Sequence, residues 1–149
     1  MLYYQITMQK GLALGVDQNN SGVGSQLILV EPAKNDYQLW EIAFLPNAGW
    51  NVGVALINKA TGLMATFNST GNGSPVVQQS IPAEGAIDNG HAWQTNAATE
   101  TTRSVMPLLA ANQCLNAAGN SWAPETPIIV WQWSGGQPNE LWSFNAFEA

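Results

Sequence analysis

Cysteine and charge are what this chain has least of. Its one cysteine, Cys114, excludes an internal disulfide framework. Because it heads an apolar run, it reads as a small buried hydrophobe. Four cations stand against ten carboxylates, for a net charge of −6. Lys10, Lys34, Lys59 and Arg103 are too few and too scattered to neutralise a row of phosphates, so nucleic acid is not an expected partner. An anionic membrane surface is disfavoured for the same reason. One histidine, one cysteine and dispersed carboxylates have no ligand spacing for a metal, and no cofactor is implied. No apolar run approaches the length of a membrane span. The opening MLYYQITMQKGLALG lacks both the basic start and the apolar stretch of a secretory leader. The expected location is therefore the cytoplasm, with any release by a non-classical route.

Neutral amides take the place of charge: the chain has 15 Asn and 11 Gln. Amides donate to and accept from neutral polar ligands, of which sugars are the obvious class. The plainer reading is that Asn, like Gly, serves turns.

The strongest signal is a repeat. Three stretches, opening at Leu12, Leu63 and Cys114, lie 51 residues apart. Each runs through a Gly/Asn-rich turn into an apolar run starting at Gln26, Pro75 or Pro127. Each closes on a tryptophan two residues after a polar side chain: Gln38/Trp40, His91/Trp93 and Glu140/Trp142. From opening residue to closing Trp the distances are 28, 30 and 28 residues. A period of this kind dictates the architecture. It predicts one domain over 1–149, divided at about 1–47, 48–99 and 100–149.

Short apolar runs separated by turn residues argue for an all-β chain. Strands are predicted over 3–8, 12–16, 26–31 and 39–44 in the first unit. The second offers 50–58, 63–67, 75–81 and 92–95, and the third 104–110, 114–117, 127–133 and 141–147. No stretch keeps a helical period. A four-stranded unit cannot cover its own core, and three such units around an axis remove the exposed edges. The predicted fold is a β-trefoil, a six-stranded barrel capped by three hairpins.

The third unit, QCLNAAGN…TPIIVWQWSGGQPNELWSF, resembles the repeat of the ricin-B-like (R-type, QxW) lectins. The family pattern there is Cys-Leu-Asp, a loop, Gly-Thr-Pro-Val-x-x-Trp, then Asn-Gln-x-Trp. The first unit keeps Gln38-Leu39-Trp40, and the second keeps NGSPVV and a variant closing HAW. The resemblance implies reversible, non-catalytic binding of galactose or N-acetylgalactosamine on glycans and glycoproteins, by a chain similar to the small intracellular lectins of mushrooms and bacteria. Carried over by position, the sugar contacts are Asn116 and Asn139 for the hydroxyls and Trp131 for stacking on the C–H-rich ring face. Trp133 would extend the pocket, and Glu140, in place of the closing Gln, would orient it. Asn116 replaces the usual Asp and removes a carboxylate acceptor.

The matching positions of the other units are poorer. The first offers Leu14, Val30 and Tyr37, with Asp17 and Asn35 close by. The second offers Ala65, Gln79 and Gly90, with Asn68, Asn89 and His91 nearby. By this reading the third unit binds best. A shallow pocket binds a monosaccharide weakly, so agglutination would need several sites or a homodimer.

Each of these residues has a plainer reading. Trp40, Trp93 and Trp142 recur once per unit and read as core. Trp131 and Trp133, two residues apart, share a strand face, and two such tryptophans just before SerGlyGly are not both expected to be buried. Trp122 could line the pocket or pack locally, Asn139 could be a turn residue, and His91 reads as a hydrogen-bonding core group. Catalysis has little support. Cys114 and His91 open and close different units, and no acid pair falls at matching repeat positions. The rival function is a protein-binding trefoil such as a protease inhibitor, for which the Trp/Asn set would have no use. A second is a targeting module of a glycan-degrading enzyme.

Overall fold

The computed structural model describes residues 1–9, 11–45, 53–82, 87–119 and 122–148. Among these residues the strands are β1 (Leu2–Met8), β2 (Ala13–Gly15), β3 (Ile28–Val30), β4 (Trp40–Phe44), β5 (Val54–Asn58), β6 (Met64–Phe67), β7 (Ser74–Gln79), β8 (Trp93–Ala97), β9 (Arg103–Pro107), β10 (Gln113–Ala117), β11 (Ile128–Gln132) and β12 (Trp142–Glu148). No helix among them is long and apolar enough to cross a membrane.

Six strands close a ring: β1 pairs β4, β4 pairs β5, β5 pairs β8, β8 pairs β9, β9 pairs β12, and β12 returns to β1. All these pairings are antiparallel. The seam between the chain's ends is the longest, running from Leu2↔Glu148 to Met8↔Trp142. The remaining strands form three hairpins, β2–β3, β6–β7 and β10–β11. This is the β-trefoil, and closure satisfies strand edges that separate units would expose.

The closing tryptophans sit at the centre. Trp40, Trp93 and Trp142 are each 0% exposed. Their indole N–H groups donate to Leu14 O (2.9 Å), Ala65 O (2.9 Å) and Leu115 O (3.0 Å). Each unit thus ties its last barrel strand to its own hairpin through one buried bond, worth about 1 kcal/mol net. Around them pack Ile6, Leu14, Leu29, Leu56, Leu115 and Ile128, all fully buried.

The loops also link the units in a cycle. Gly24 N–H donates to Gln78 O (2.7 Å), Gly73 N–H to Val130 O (2.8 Å) and Glu125 N–H to Leu29 O (2.7 Å). The loop between the second and third strands of each unit therefore lies on the third strand of the next. Gln78 is buried in one such junction. It accepts from the Thr61 hydroxyl and donates to Ser21 O and Ser25 Oγ.

Three 3-10 turns, Asp36–Gln38, Asn89–His91 and Pro138–Glu140, precede the closing tryptophans. The sequence predicted no helical segment, because a three-residue turn is too short to show a period. The strand that was to start at residue 50 begins at Val54, its first predicted residues, 50–52, lying outside the described ones. The strand predicted over 127–133 stops at Gln132, so Trp133 is not in it.

Candidate functional site

β10 and β11 pair with Asn116 opposite Ile129 and Cys114 opposite Trp131. Alternation along β11 sends Ile128 and Val130 into the core, both 0% exposed, and leaves Trp131 facing out at 45%. The third 3-10 turn then brings Asn139 back over β10. Its Nδ2 donates to Asn116 Oδ1 (3.0 Å) and Ala117 O (3.1 Å).

The result is a cleft of about 610 Å³ lined by Asn116, Gly119, Trp122, Ile129, Trp131, Ser134, Gln137, Asn139 and Glu140. Of the residues read from the third unit, Asn116, Trp131, Asn139 and Glu140 are brought together. Trp133 is not among the lining residues. It follows the last residue of β11, half-buried, with its backbone N–H donated to Asn112 O (2.9 Å). That bond keeps Trp133 in register with β10, yet the cleft is lined without it, which corrects its placement as an extension of the pocket.

Trp122 faces both ways, lining the cleft and packing against the core while its indole N–H donates to Gly119 O (3.0 Å).

Glu140 is 0% exposed. Its carboxylate accepts from Ser134 N–H (3.1 and 3.2 Å), Ser134 Oγ (2.6 Å) and Gly136 N–H (2.8 Å). Its oxygens are saturated by the loop it holds, where Gly135 and Gly136 adopt φ of 92° and 109°. It shapes the cleft wall. Gln38 does the same work in the first unit, accepting from Ala33 N–H (2.7 Å) and donating to Glu31 O (3.1 Å). His91, expected as their core counterpart, is half exposed instead and meets Asp88 Oδ1 through Nδ1 (2.9 Å).

The cleft carries no free charge. Behind it, the Cys114 thiol is pushed up to about 12, first by burial and then by the charge of Glu140, with a hydrogen bond to Asn116 acting in the opposite direction. It is protonated at neutral pH and donates to Trp131 O (3.3 Å).

No protein-family model matches the chain, and no curated protein matches it. Solved structures do. A designed threefold-symmetric protein, ThreeFoil, superposes with a TM-score of 0.82 at 19% identity, over 96% of this chain and 97% of that one. The ricin B-like lectin of Macrolepiota procera, in complex with lactose, gives 0.74 at 18% identity, over 96% and 94%. An exo-β-1,3-galactanase of Clostridium thermocellum gives 0.79 at 15% identity, matching 99% of this chain but 30% of the enzyme. The structural neighbours thus include a ricin B-like lectin. At these identities the likeness establishes the β-trefoil frame.

On that frame the three units can be aligned by the carbonyl each indole finds. Leu14, Ala65 and Leu115 are equivalent. The counterparts of Asn116 are therefore Gly15 and Thr66, one residue after the Leu14 and Ala65 read from the 51-residue period. Spacing alone hides a one-residue offset that the hydrogen bond reveals. The counterparts of Trp131 stand as read: Val30 opposite Ala13, and Gln79 opposite Met64.

The first unit cannot copy the third. A Cβ on Gly15 would meet Val30 Cγ2 at 3.0 Å and Tyr37 O at 3.2 Å. It nevertheless has a cleft of about 360 Å³, which brings together Asp17, Asn35 and Tyr37 with Val30, Glu31, Pro124 and Glu125. Its aromatic is Tyr37, held by a bond from its N–H to Asn35 Oδ1 (2.8 Å). Asp17 Oδ1 accepts from Asn19 N–H (2.9 Å).

In the second unit Gln79 supplies no ring and Gly90 no side chain. Asn68 is exposed, and the side chain of Asn89 lies outside the described residues. Thr66 Oγ1 is buried with no hydrogen-bond partner among the described residues.

Ser134 and Gln137 were missed as lining residues because only the stapled loop places them. Glu31 and Glu125 were missed because one comes from a strand end and the other from a different unit.

Proposed function

We propose that the chain is a lectin that binds galactose or N-acetylgalactosamine on glycans reversibly, with the third-unit cleft as its principal site. The observation that carries this reading is the outward-facing Trp131 beside the Asn116–Asn139 pair, in a cleft whose one carboxylate is already saturated. A pyranose offers a C–H face to the indole and hydroxyls to the amides. Asn139 Oδ1 has no partner among the described residues and serves as an acceptor for a sugar hydroxyl. Asn at 116 also avoids a second carboxylate near the buried charge of Glu140, where two like charges would be costly.

The lactose bound by the ricin B-like lectin of the same fold supports a galactose-type ligand. The non-catalytic reading draws on the Cys114 thiol, which is no nucleophile at a pKa of about 12, and on His91, which faces Asp88 instead. The first-unit cleft would act as a second, weaker site, and two sites on one chain give avidity toward branched or clustered glycans.

Calorimetry with lactose tests the assignment. Trp131→Ala should lower affinity at least tenfold. Because the ring is about half-buried over Gly73, the melting temperature should drop by a few degrees, at about 2–4 °C per kcal/mol. Unchanged affinity in this variant refutes the site.

A further inference from the structure

The two clefts share a wall, and its two sides differ in charge. Gly119 and Trp122 face the third-unit cleft, while Pro124 and Glu125, two and three residues on, face that of the first. Glu125 is the only non-glycine residue of positive φ among the described residues, at 74°. Its backbone is gripped from both sides. Glu125 N–H donates to Leu29 O (2.7 Å), and Leu29 N–H donates to Thr126 O (2.9 Å). The Thr126 hydroxyl donates to Ala123 O (2.7 Å) and accepts from Ala123 N–H (3.1 Å). The third unit therefore delivers an acid at a set position onto the first unit's cleft, beside Asp17 and Glu31.

Among the described residues, no Lys or Arg lines that cleft. Of the cations described, Lys59 pairs with Asp36 (3.1 Å), and Arg103 donates to Thr95 O (2.9 Å). Lys34 is exposed and does not line the cleft. Among the described residues the three carboxylates form no group that could hold a metal ion, and no described Lys or Arg stands against them in the cleft. In the third-unit cleft the one carboxylate, Glu140, is buried and saturated.

We propose that Glu125 is the specificity residue of the first-unit cleft, making it refuse saccharides that bear a carboxylate or sulfate while the third-unit cleft admits neutral and acidic saccharides alike. This rests on the sugar-binding reading above. An acid brought near fixed carboxylates in partly solvated surroundings is repelled, and the repulsion fades once salt shortens the Debye length from about 30 Å at 0.01 M to about 3 Å at 1 M.

The test is an NMR titration of the isotope-labelled chain at low salt, with lactose and with sialyllactose. The Tyr37 backbone amide reports the first cleft and the Asn139 side-chain amide the third. Lactose should shift both signals, and sialyllactose should shift Asn139 at comparable concentration but Tyr37 only at about tenfold higher. Glu125→Gln, or a rise in salt, should close most of that gap. A gap insensitive to both reflects the bulk of the extra sugar and overturns the proposal, as does equal response of Tyr37 to the two ligands. If lactose moves Asn139 alone, the proposal fails while the lectin reading stands. If lactose moves neither signal, both fail.

Discussion

Replacing Glu140 tests how the loop that walls the third-unit cleft is built. Its carboxylate accepts two backbone N–H groups and one hydroxyl, all within 3.2 Å. In Glu140→Ala, Ser134 N–H and Gly136 N–H lose their acceptor in a part-buried loop. At about 1–3 kcal/mol per orphaned donor, the cost is about 2–6 kcal/mol. Glu140→Gln is a different perturbation. With its amide oxygen in the place of Oε2, it still accepts from Gly136 N–H and Ser134 N–H. Its NH2 group then donates to Ser134 Oγ, which turns its proton away. The charge-assisted bonds weaken, but a buried charge is removed, so the net change should stay within about 1 kcal/mol. Urea unfolding followed by tryptophan fluorescence measures both variants. A Gln variant as unstable as the Ala variant would show that the charge, not the acceptor geometry, holds the loop. An Ala variant within 1 kcal/mol of wild type would refute the staple altogether.

Other perturbations probe the frame. Trp142→Ala removes a fully buried indole and its bond to Leu115 O, and should cost about 3–5 kcal/mol, visible as a melting point lower by about 6–20 °C. Gly15→Ala drives a methyl against Val30 Cγ2 and the Tyr37 carbonyl. Since that carbonyl is itself held by Asn58 Nδ2 (2.9 Å), a loss of about 1–3 kcal/mol is expected on denaturant unfolding. The Cys114 thiol, raised from 9.0 to about 12, should resist alkylation at pH 8 until the chain unfolds. Above pH 9 the unfolded thiol ionises first, so its contribution to stability should fall by about 1.4 kcal/mol per pH unit toward pH 12. Subtracting the same pH series for Cys114→Ala isolates that slope, and no difference between the two series would refute the raised value.

The repeat made much of the fold legible because each unit repeats the same physical need. A buried Trp needs an acceptor for its N–H, and one per unit at matching positions leads to a threefold core. That Trp131, Asn116 and Asn139 meet in one cleft was legible for a related reason, since alternation along β11 and the turn before Trp142 are local facts. Trp133 was expected in the pocket because it shares a pleat with Trp131; its backbone N–H does bond to Asn112 O, in register with the β10–β11 pairing, but its ring is not among the residues that line the cleft.

The sequence by itself determined the β-trefoil, the three core tryptophans and the unevenness of the units, because burial periodicity and turn chemistry are written residue by residue. Tertiary structure alone decided that Gly15 and Thr66, not Leu14 and Ala65, stand where Asn116 does, since only a hydrogen bond across the hairpin aligns the units. It alone made Glu140 a staple, because three donors converge on it from a loop. It alone placed Glu125 in a cleft of another unit, because the loops of a closed ring must rest on the neighbour that sequence distance conceals.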